Sequence, residues 1–324
     1  MEKDPGLSGT HLDGYVVGEL IGHGGMGAIY KGRQTRLGRE VAIKFLLKLP
    51  GFTPMLSDRF RKETKIHMQL SHPNLVKLLD AGIYLGFPYI VMELIEGVSL
   101  QSSLGSGPLS PMSTLLAVAD LIAQGLDYLA GQGVQHRDIK PANVILGPGK
   151  IVKICDFGLA HMDGRTPLTT PGSLLGSLPY MAPEFIRGEA HDLSSDAYSF
   201  GVLLYRMATG SLPYVGRDVP HWVELIAEQV PPSVSEARSD ATPEFADLVA
   251  RLLEKKPENR ATINQASETL SYLVDKGRVS RSQRASAFQN SGPRVSTRDS
   301  ILVAGLSLVL ALFAVIAFLT MYRS

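Results

Sequence analysis

The chain has a single cysteine, Cys155, and a single tryptophan, Trp222, among 324 residues. One thiol can form neither an intrachain disulfide nor a cysteine-based zinc cluster, which fits a reducing compartment. Charge is nearly balanced at +1, and no basic stretch interleaved with aromatics occurs in the globular part, so no nucleic-acid partner is expected. The opening residues Met1-Glu2-Lys3-Asp4-Pro5-Gly6 contain no apolar run, and no cleavable signal peptide is expected.

A hydrophobic content of 44% does support a real core, in one large or two ordinary domains. Residues 1–14 are rich in Gly and Asp and read as a flexible leader. Strands are then expected over Tyr15 to Leu20, Ala28 to Arg33 and Glu40 to Leu46, followed by a helix over Ser57 to Leu70. Two further strands, Leu75 to Leu79 and Pro88 to Met92, lead into Glu93-Leu94-Ile95-Glu96-Gly97. Met112 to Gln132 reads as a long apolar helix, and Asn143 to Leu146 with Ile151 to Ile154 as a small hairpin.

The chemistry concentrates in His136-Arg137-Asp138-Ile139-Lys140-Pro141-Ala142-Asn143. Asp138 can accept the proton of an attacking hydroxyl, Lys140 can neutralise charge on a transferring phosphoryl group, and Asn143 offers an oxygen to a divalent metal. Upstream stand Gly22-His23-Gly24-Gly25-Met26-Gly27 and Val41-Ala42-Ile43-Lys44; downstream come Asp156-Phe157-Gly158 and Ala182-Pro183-Glu184. A glycine loop alone is weak, since glycines also mark ordinary turns. The full set, in this order, resembles the eukaryotic-type (Hanks-type) Ser/Thr protein kinases, more narrowly their bacterial transmembrane subgroup. The resemblance covers about residues 15 to 272.

It implies an α+β, two-lobed fold: a small, mainly β lobe to about residue 93 and a larger, mainly α lobe to about residue 272. It implies ATP with Mg²⁺, or Mn²⁺ in its place, as cofactors and Ser/Thr hydroxyls of proteins as acceptors. Gly22, Gly24 and Gly27 would let backbone N–H groups approach the phosphates, and Lys44, paired with Glu63, would align them. Ile29, Ala42 and Ile145 would enclose adenine, with hydrogen bonds from the backbone around Glu93 to Ile95 and Met92 at the back of the pocket. Asn143 and Asp156 would hold the metal, while Asp138 and Lys140 carry the transfer itself. Cys155, next to Asp156, reads as a small core hydrophobe rather than a reactive thiol.

The resemblance places an activation loop between Asp156 and Glu184, with Thr166, Thr169, Thr170 and Ser173 as phosphate acceptors, Thr169 or Thr170 favoured, and Arg137 as receptor. Asp196 would pin the catalytic loop and Arg260 would pair with Glu184. Three departures stand out. One turn after Glu63, where an apolar residue is expected against Phe157, stands His67, or Met68 if the register slips by one. That contact is expected to be weaker or sensitive to pH, the alternative being that His67 merely packs. Ser177 replaces a threonine, though its hydroxyl can still bridge Asp138 and Lys140. His161 replaces a common second phosphate-binding cation.

Toward the far end, residues 273–300 read as a flexible basic juxtamembrane linker, in which Lys276, Arg278, Arg281, Arg284, Arg294 and Arg298 occur without an acid from 276 to 298. Ile301 to Tyr322 then gives 22 uncharged residues, about 33 Å as a helix against a bilayer core of about 30 Å. A transmembrane helix over 301–322 is expected, embedded in membrane lipid, with the kinase lobes on the cytoplasmic side of a bacterial inner (plasma) membrane. Small residues at Ser300, Ala304, Ser307, Ala311 and Ala314 form a seam suited to a homodimer. The reading is thus a membrane-tethered Ser/Thr kinase that autophosphorylates its activation loop, with a membrane-anchored pseudokinase scaffold and a small-molecule kinase as rivals.

Overall fold

The computed structural model describes residues 5–24, 27–47, 54–156 and 174–290. In its first part, strands β1 (His11–Leu12), β2 (Tyr15–Gly24), β3 (Gly27–Gln34) and β4 (Glu40–Phe45) are followed by helix α1 (Pro54–Gln69), then β5 (Leu78–Tyr84) and β6 (Phe87–Glu93). They build one antiparallel sheet in the order β1-β2-β3-β4-β6-β5.

The period-two alternation of β4 and β6 gives this sheet two apolar faces. Val41, Ile43, Phe45, Tyr89 and Val91 join Tyr30 on one face, where the Tyr30 and Phe45 rings meet edge to face at 5.8 Å. Ala42, Leu46, Ile90 and Met92 lie on the other with Phe60 of α1. Lys44 shares the parity of Ala42 and Leu46, so the same alternation delivers its buried amine to the α1 side. On α1 the buried stripe is Phe60, Thr64 and His67, a helical spacing that turns Glu63 beside it.

The second part begins with β7 (Val98–Ser99), α2 (Leu100–Leu104), α3 (Met112–Gly131), β8 (Val144–Gly147) and β9 (Ile151–Ile154), the strands forming a small sheet in the order β7-β8-β9. It continues with α4 (Leu174–Ser177), α5 (Pro183–Ile186), α6 (Leu193–Thr209), α7 (Val219–Glu228), α8 (Val234–Ala237), α9 (Pro243–Leu252) and α10 (Ile263–Asn290). Helix α3 buries Leu115, Ala119, Ile122, Leu126 and Leu129 in the core of this lobe. Among the described residues it is the one helix long and apolar enough to cross a membrane, and half of it is already buried against protein. Helix α6 starts on a capping box from Asp192 and Ser195 and ends at Gly210, whose φ of 77° is the left-handed conformation that glycine adopts without strain. Trp222 packs against this core.

The lobes are stitched by the chain after α1, where Val76 N–H donates to Ile154 O and Ile154 N–H to Asn74 O, each at 2.8 Å. The strand expected at Leu75 to Leu79 is therefore divided: Leu75 bridges β9, and β5 runs from Leu78 to a tight turn at Leu85 and Gly86, both with positive φ. Asp80, Ala81 and Gly82 hid this strand from a reading based on apolar alternation.

Two boundaries are corrected. The leader is not loose up to residue 14, because Leu12-Asp13-Gly14-Tyr15 closes a hairpin that pairs β1 with β2, and Val17 N–H donates to Thr10 O at 2.9 Å. An Asp-Gly pair is a strong hairpin signal, here with Gly14 at a φ of 79°. The basic linker is helical as far as Asn290, since α10 continues through Lys276, Arg278, Arg281 and Arg284. Ala, Arg and Gln favour helix, and no proline occurs between Pro257 and Pro293. Residues 1–275 form one compact unit and 276–324 a second. The span expected at 301–322, with its seam of small residues, lies outside the described residues.

Candidate active site

The loop after α3 folds around a buried aspartate. Asp196, in the first turn of α6, accepts the backbone N–H of His136 at 2.6 Å and that of Arg137 at 2.9 Å, which pins the loop as expected. Arg137 is held at a φ of 66°, a strained value for a non-glycine residue, at the point where these two bonds fix the backbone. Burial pushes the Asp196 carboxyl up to about 6, although the two N–H donors pull it down. His136, fully buried, stays neutral because burial lowers it to about 4.

Held this way, Asp138 sits in a closed ring of polar contacts. Asn143 Nδ2 donates to Asp138 Oδ2 at 2.9 Å and to its backbone O at 2.7 Å. Lys140 Nζ pairs with Asp138 Oδ2 at 2.7 Å and also reaches Ser177 Oγ at 2.7 Å. Ser177 Oγ in turn donates to Asp138 Oδ1 at 3.0 Å. The serine thus makes the bridge expected of it, so its lack of a β-methyl leaves the ring complete.

On the other wall, Lys44 Nζ contacts Asp156 Oδ1 at 2.7 Å. Burial raises the Asp156 carboxyl, but the Lys44 charge and hydrogen bond outweigh it, helped by His136 and Lys140, and hold it below the usual carboxylate range. Asp156 has a φ of 62°. Lys44 thus meets Asp156 within ion-pair distance, and Glu63, the partner expected for it, is half-buried on α1.

Between these walls lies an apolar slot. Ile29, Ile95, Ile145 and Cys155 pack onto the cluster containing Ala42 and Met92, which unites the residues expected around adenine. Cys155 is half-buried, and its thiol is pushed far above the ordinary range, mainly by burial and then by Asp156, which keeps it protonated. Glu93 N–H is taken by Lys77 O at 3.0 Å, so recognition at this residue falls to its carbonyl. Gly22 and Gly24 end β2 and Gly27 opens β3, with a φ of 158° at Gly27; a side chain there would collide with Phe45 O.

His67 is buried, and burial together with the Arg137 charge lowers it to about 4; the contact expected between it and Phe157 lies outside the described residues. Phe157, His161, Thr166, Thr169, Thr170 and Ser173 lie outside the described residues. The Glu184–Arg260 pair forms as expected, with bonds of 2.8 and 3.0 Å, and Ser195 Oγ donates to the same carboxylate at 2.7 Å.

No group of three or more His, Cys, Asp or Glu among the described residues could hold a metal alone. Asn143 and Asp156 nevertheless fit a hard cation completed by phosphate oxygens and water: both offer oxygen, and the Asn143 amide nitrogen is turned to Asp138.

An acid–base carboxylate ringed by Lys140, Ser177 and Asn143, facing a Lys44–Asp156 pair under a glycine-bearing hairpin, defines a phosphotransferase cleft between a β-rich and a helical lobe. Residues 15–270 match the protein kinase domain. The chain is 36% identical over 308 residues to the serine/threonine-protein kinase PknB of Mycolicibacterium smegmatis, covering 91% of this chain and 47% of that protein. It is 37% identical over 267 residues to a probable serine/threonine-protein kinase of Streptomyces coelicolor, covering 80% of this chain and 39% of the relative. A crystal structure of the PknI kinase domain of Mycobacterium tuberculosis matches with a TM-score of 0.66 at 25% identity, covering 82% of this chain and 98% of that one. The chain belongs to the protein kinase family, as a eukaryotic-type Ser/Thr kinase domain. It spans less than half the length of these curated relatives.

Proposed function

We propose that the chain is a membrane-tethered kinase that transfers the γ-phosphoryl group of ATP to Ser and Thr hydroxyls of proteins, its own activation loop included. The observation that carries this reading is the hydroxyl of Ser177 donating to Asp138 Oδ1 with Lys140 alongside, because it shows that this carboxylate oxygen accepts an alcohol O–H. An acceptor Ser or Thr hydroxyl presented to Asp138 loses its proton to the carboxylate as its oxygen attacks the γ-phosphorus and the bond from that phosphorus to the β-phosphate oxygen breaks, releasing ADP. Lys140 neutralises charge developing on the phosphoryl group, and Lys44, beside Asp156, aligns the phosphates. Asn143 and Asp156 would hold Mg²⁺, which when bound offsets the negative charge of the phosphates. The protein's contribution is positioning and electrostatics rather than covalent catalysis.

Support for the tether comes from the 22 uncharged residues at 301–322, and support for a cytoplasmic position of the lobes from the basic residues that precede them. The seam of small residues supports pairing of two spans, which would raise the local concentration of kinase lobes for phosphorylation between copies.

One experiment addresses both parts. Full chain expressed in a bacterial host and recovered by fractionation is incubated with labelled ATP, Mg²⁺ and an added protein acceptor, and labelled amino acids are identified. Kinase in the membrane fraction with label on serine and threonine, part of it within residues 157–173 of the chain itself, is expected. Chain in the soluble fraction would contradict the tether. A chain that binds ATP but labels nothing would favour the scaffold, and label on a small molecule would contradict a protein acceptor.

A further inference from the structure

Glu93, the last residue of β6, faces two ways. Its backbone borders the slot that holds Met92, Ile95 and Ala42, while its carboxylate points into a chain of contacts that the phosphotransfer chemistry does not use. Glu93 Oε1 accepts the backbone N–H of Lys77 at 2.8 Å, and Glu93 N–H donates back to Lys77 O at 3.0 Å. The same carboxylate oxygen meets Lys153 Nζ at 2.5 Å, and that amine also donates to Leu75 O at 3.1 Å.

Each lysine then ties Glu93 to an element that carries or adjoins a site residue. Lys153 lies in the middle of β9, opposite Ile145 in the slot and three residues before Asp156. Lys77 Nζ donates to Leu70 O at 2.9 Å and Met68 O at 3.2 Å, at the C-terminal end of the helix that carries Glu63. Carbonyls at a helix C-terminus have no partner within the helix and carry the negative end of its dipole, so a lysine amine there is held by both effects. The Lys153 and Glu93 side chains are only 15% and 30% exposed, which limits screening of their charges by solvent.

We propose that Lys77, Glu93 and Lys153 form a positioning chain for the nucleotide, setting the spacing between the adenine-binding strand end, the strand β9 that leads to Asp156 and the tail of α1. Glu93 is the junction: neutralising its side chain frees Lys153 and lets β6 and β9 separate at the slot, while the polypeptide acceptor surface at Ser177 is untouched. Nucleotide affinity depends on the Glu93–Lys153 pair, and acceptor affinity does not.

The inference rests on ATP occupying this cleft, and the test separates the two. Glu93→Gln, Lys153→Met, their combination and Lys153→Arg are made in the full chain, with fluorescent ADP binding, KM for ATP and KM for a peptide acceptor measured on each. Glu93→Gln retains an acceptor for Lys77 N–H and removes only the charge. Each single substitution should weaken ADP and raise the KM for ATP about fivefold, as expected for a partly buried ion pair. The double variant should match the singles rather than multiply them, and Lys153→Arg should restore wild-type values. Peptide KM should stay unchanged throughout. Unaltered nucleotide affinity, multiplying effects, or a parallel rise in peptide KM with failure of Lys153→Arg to rescue would each overturn the proposal. A wild-type chain that binds no ADP would instead overturn the assignment of the cleft to ATP.

Discussion

Asp138 shows how far single residues could be read in advance. Its acid–base role follows from being a carboxylate near an amine and an amide, and both Lys140 and Asn143 do contact it. Ser177 joins it across 39 positions of sequence, a closure legible only because a hydroxyl can both accept from an amine and donate to a carboxylate. Lys44 was legible from strand alternation, but its contact with Asp156 was not, since the two lie far apart in sequence and share no motif. His67 poses a related problem: sequence shows an imidazole, whereas its charge depends on enclosure. A free histidine titrates near 6.5, while burial and Arg137 lower this one to about 4. As pH falls between those values, the unfolded chain takes up a proton that the fold refuses, costing at most about 1.4 kcal/mol per pH unit. His136, also lowered to about 4, acts in the same direction. Asp196 acts oppositely: its carboxyl, raised to about 6, contributes stability that is present in acid and lost as pH rises through that value. Comparing His67→Leu with wild type cancels both, so the variant should lose denaturant stability less steeply from pH 6.5 toward 4. Equal slopes would contradict a buried neutral His67.

At the scale of elements, strands with apolar alternation were visible and those lacking it were not. β4 and β6 follow their pattern residue by residue, because each alternating side chain enters one of two apolar clusters. β5 was displaced because its pairing is dictated by the turn at Leu85 and Gly86 rather than by its own composition. The helix through 276–290 was missed because a serine- and arginine-rich stretch lacks a core-facing stripe, although nothing in it breaks a helix that has already begun. Helices α5 and α6 are joined to the segment before α10 by Glu184 and Arg260, 3% and 6% exposed. Arg260 also donates to Ser194 O at 2.6 Å and to Glu254 O at 3.0 Å, so its loss strands an acid and several carbonyls together. Arg260→Met should therefore cost about 3–5 kcal/mol in chemical denaturation, with the Glu184→Met, Arg260→Met double variant recovering most of that loss. A double variant as unstable as the single would show that the pair stabilises the fold by more than mutual neutralisation.

For the whole molecule, the two lobes answer different physical demands. The first presents a glycine hairpin and a strand lysine from a sheet with two apolar faces, and the second fixes a catalytic loop on Asp196 in the core helix α6. Main-chain bonds from Asn74 and Val76 to Ile154 connect them, directly beside the strand that leads to Asp156. This division was legible from the order of motifs, since each motif belongs to one lobe; the polar chain from Lys77 through Glu93 to Lys153 was not, because it joins residues far apart in sequence with no shared motif. The central claim is that Asp138 carries phosphoryl transfer to a hydroxyl. The measurement that tests it most directly is the steady-state rate of phosphate transfer from ATP to protein serine and threonine by the full chain, wild type beside Asp138→Asn, at equal ADP affinity. Asparagine keeps the shape and the bond from Ser177 but cannot take a proton, so the rate should fall about 10²–10⁴-fold. An Asp138→Asn rate within about twofold of wild type would contradict a general-base role for this carboxylate and with it the account of the site.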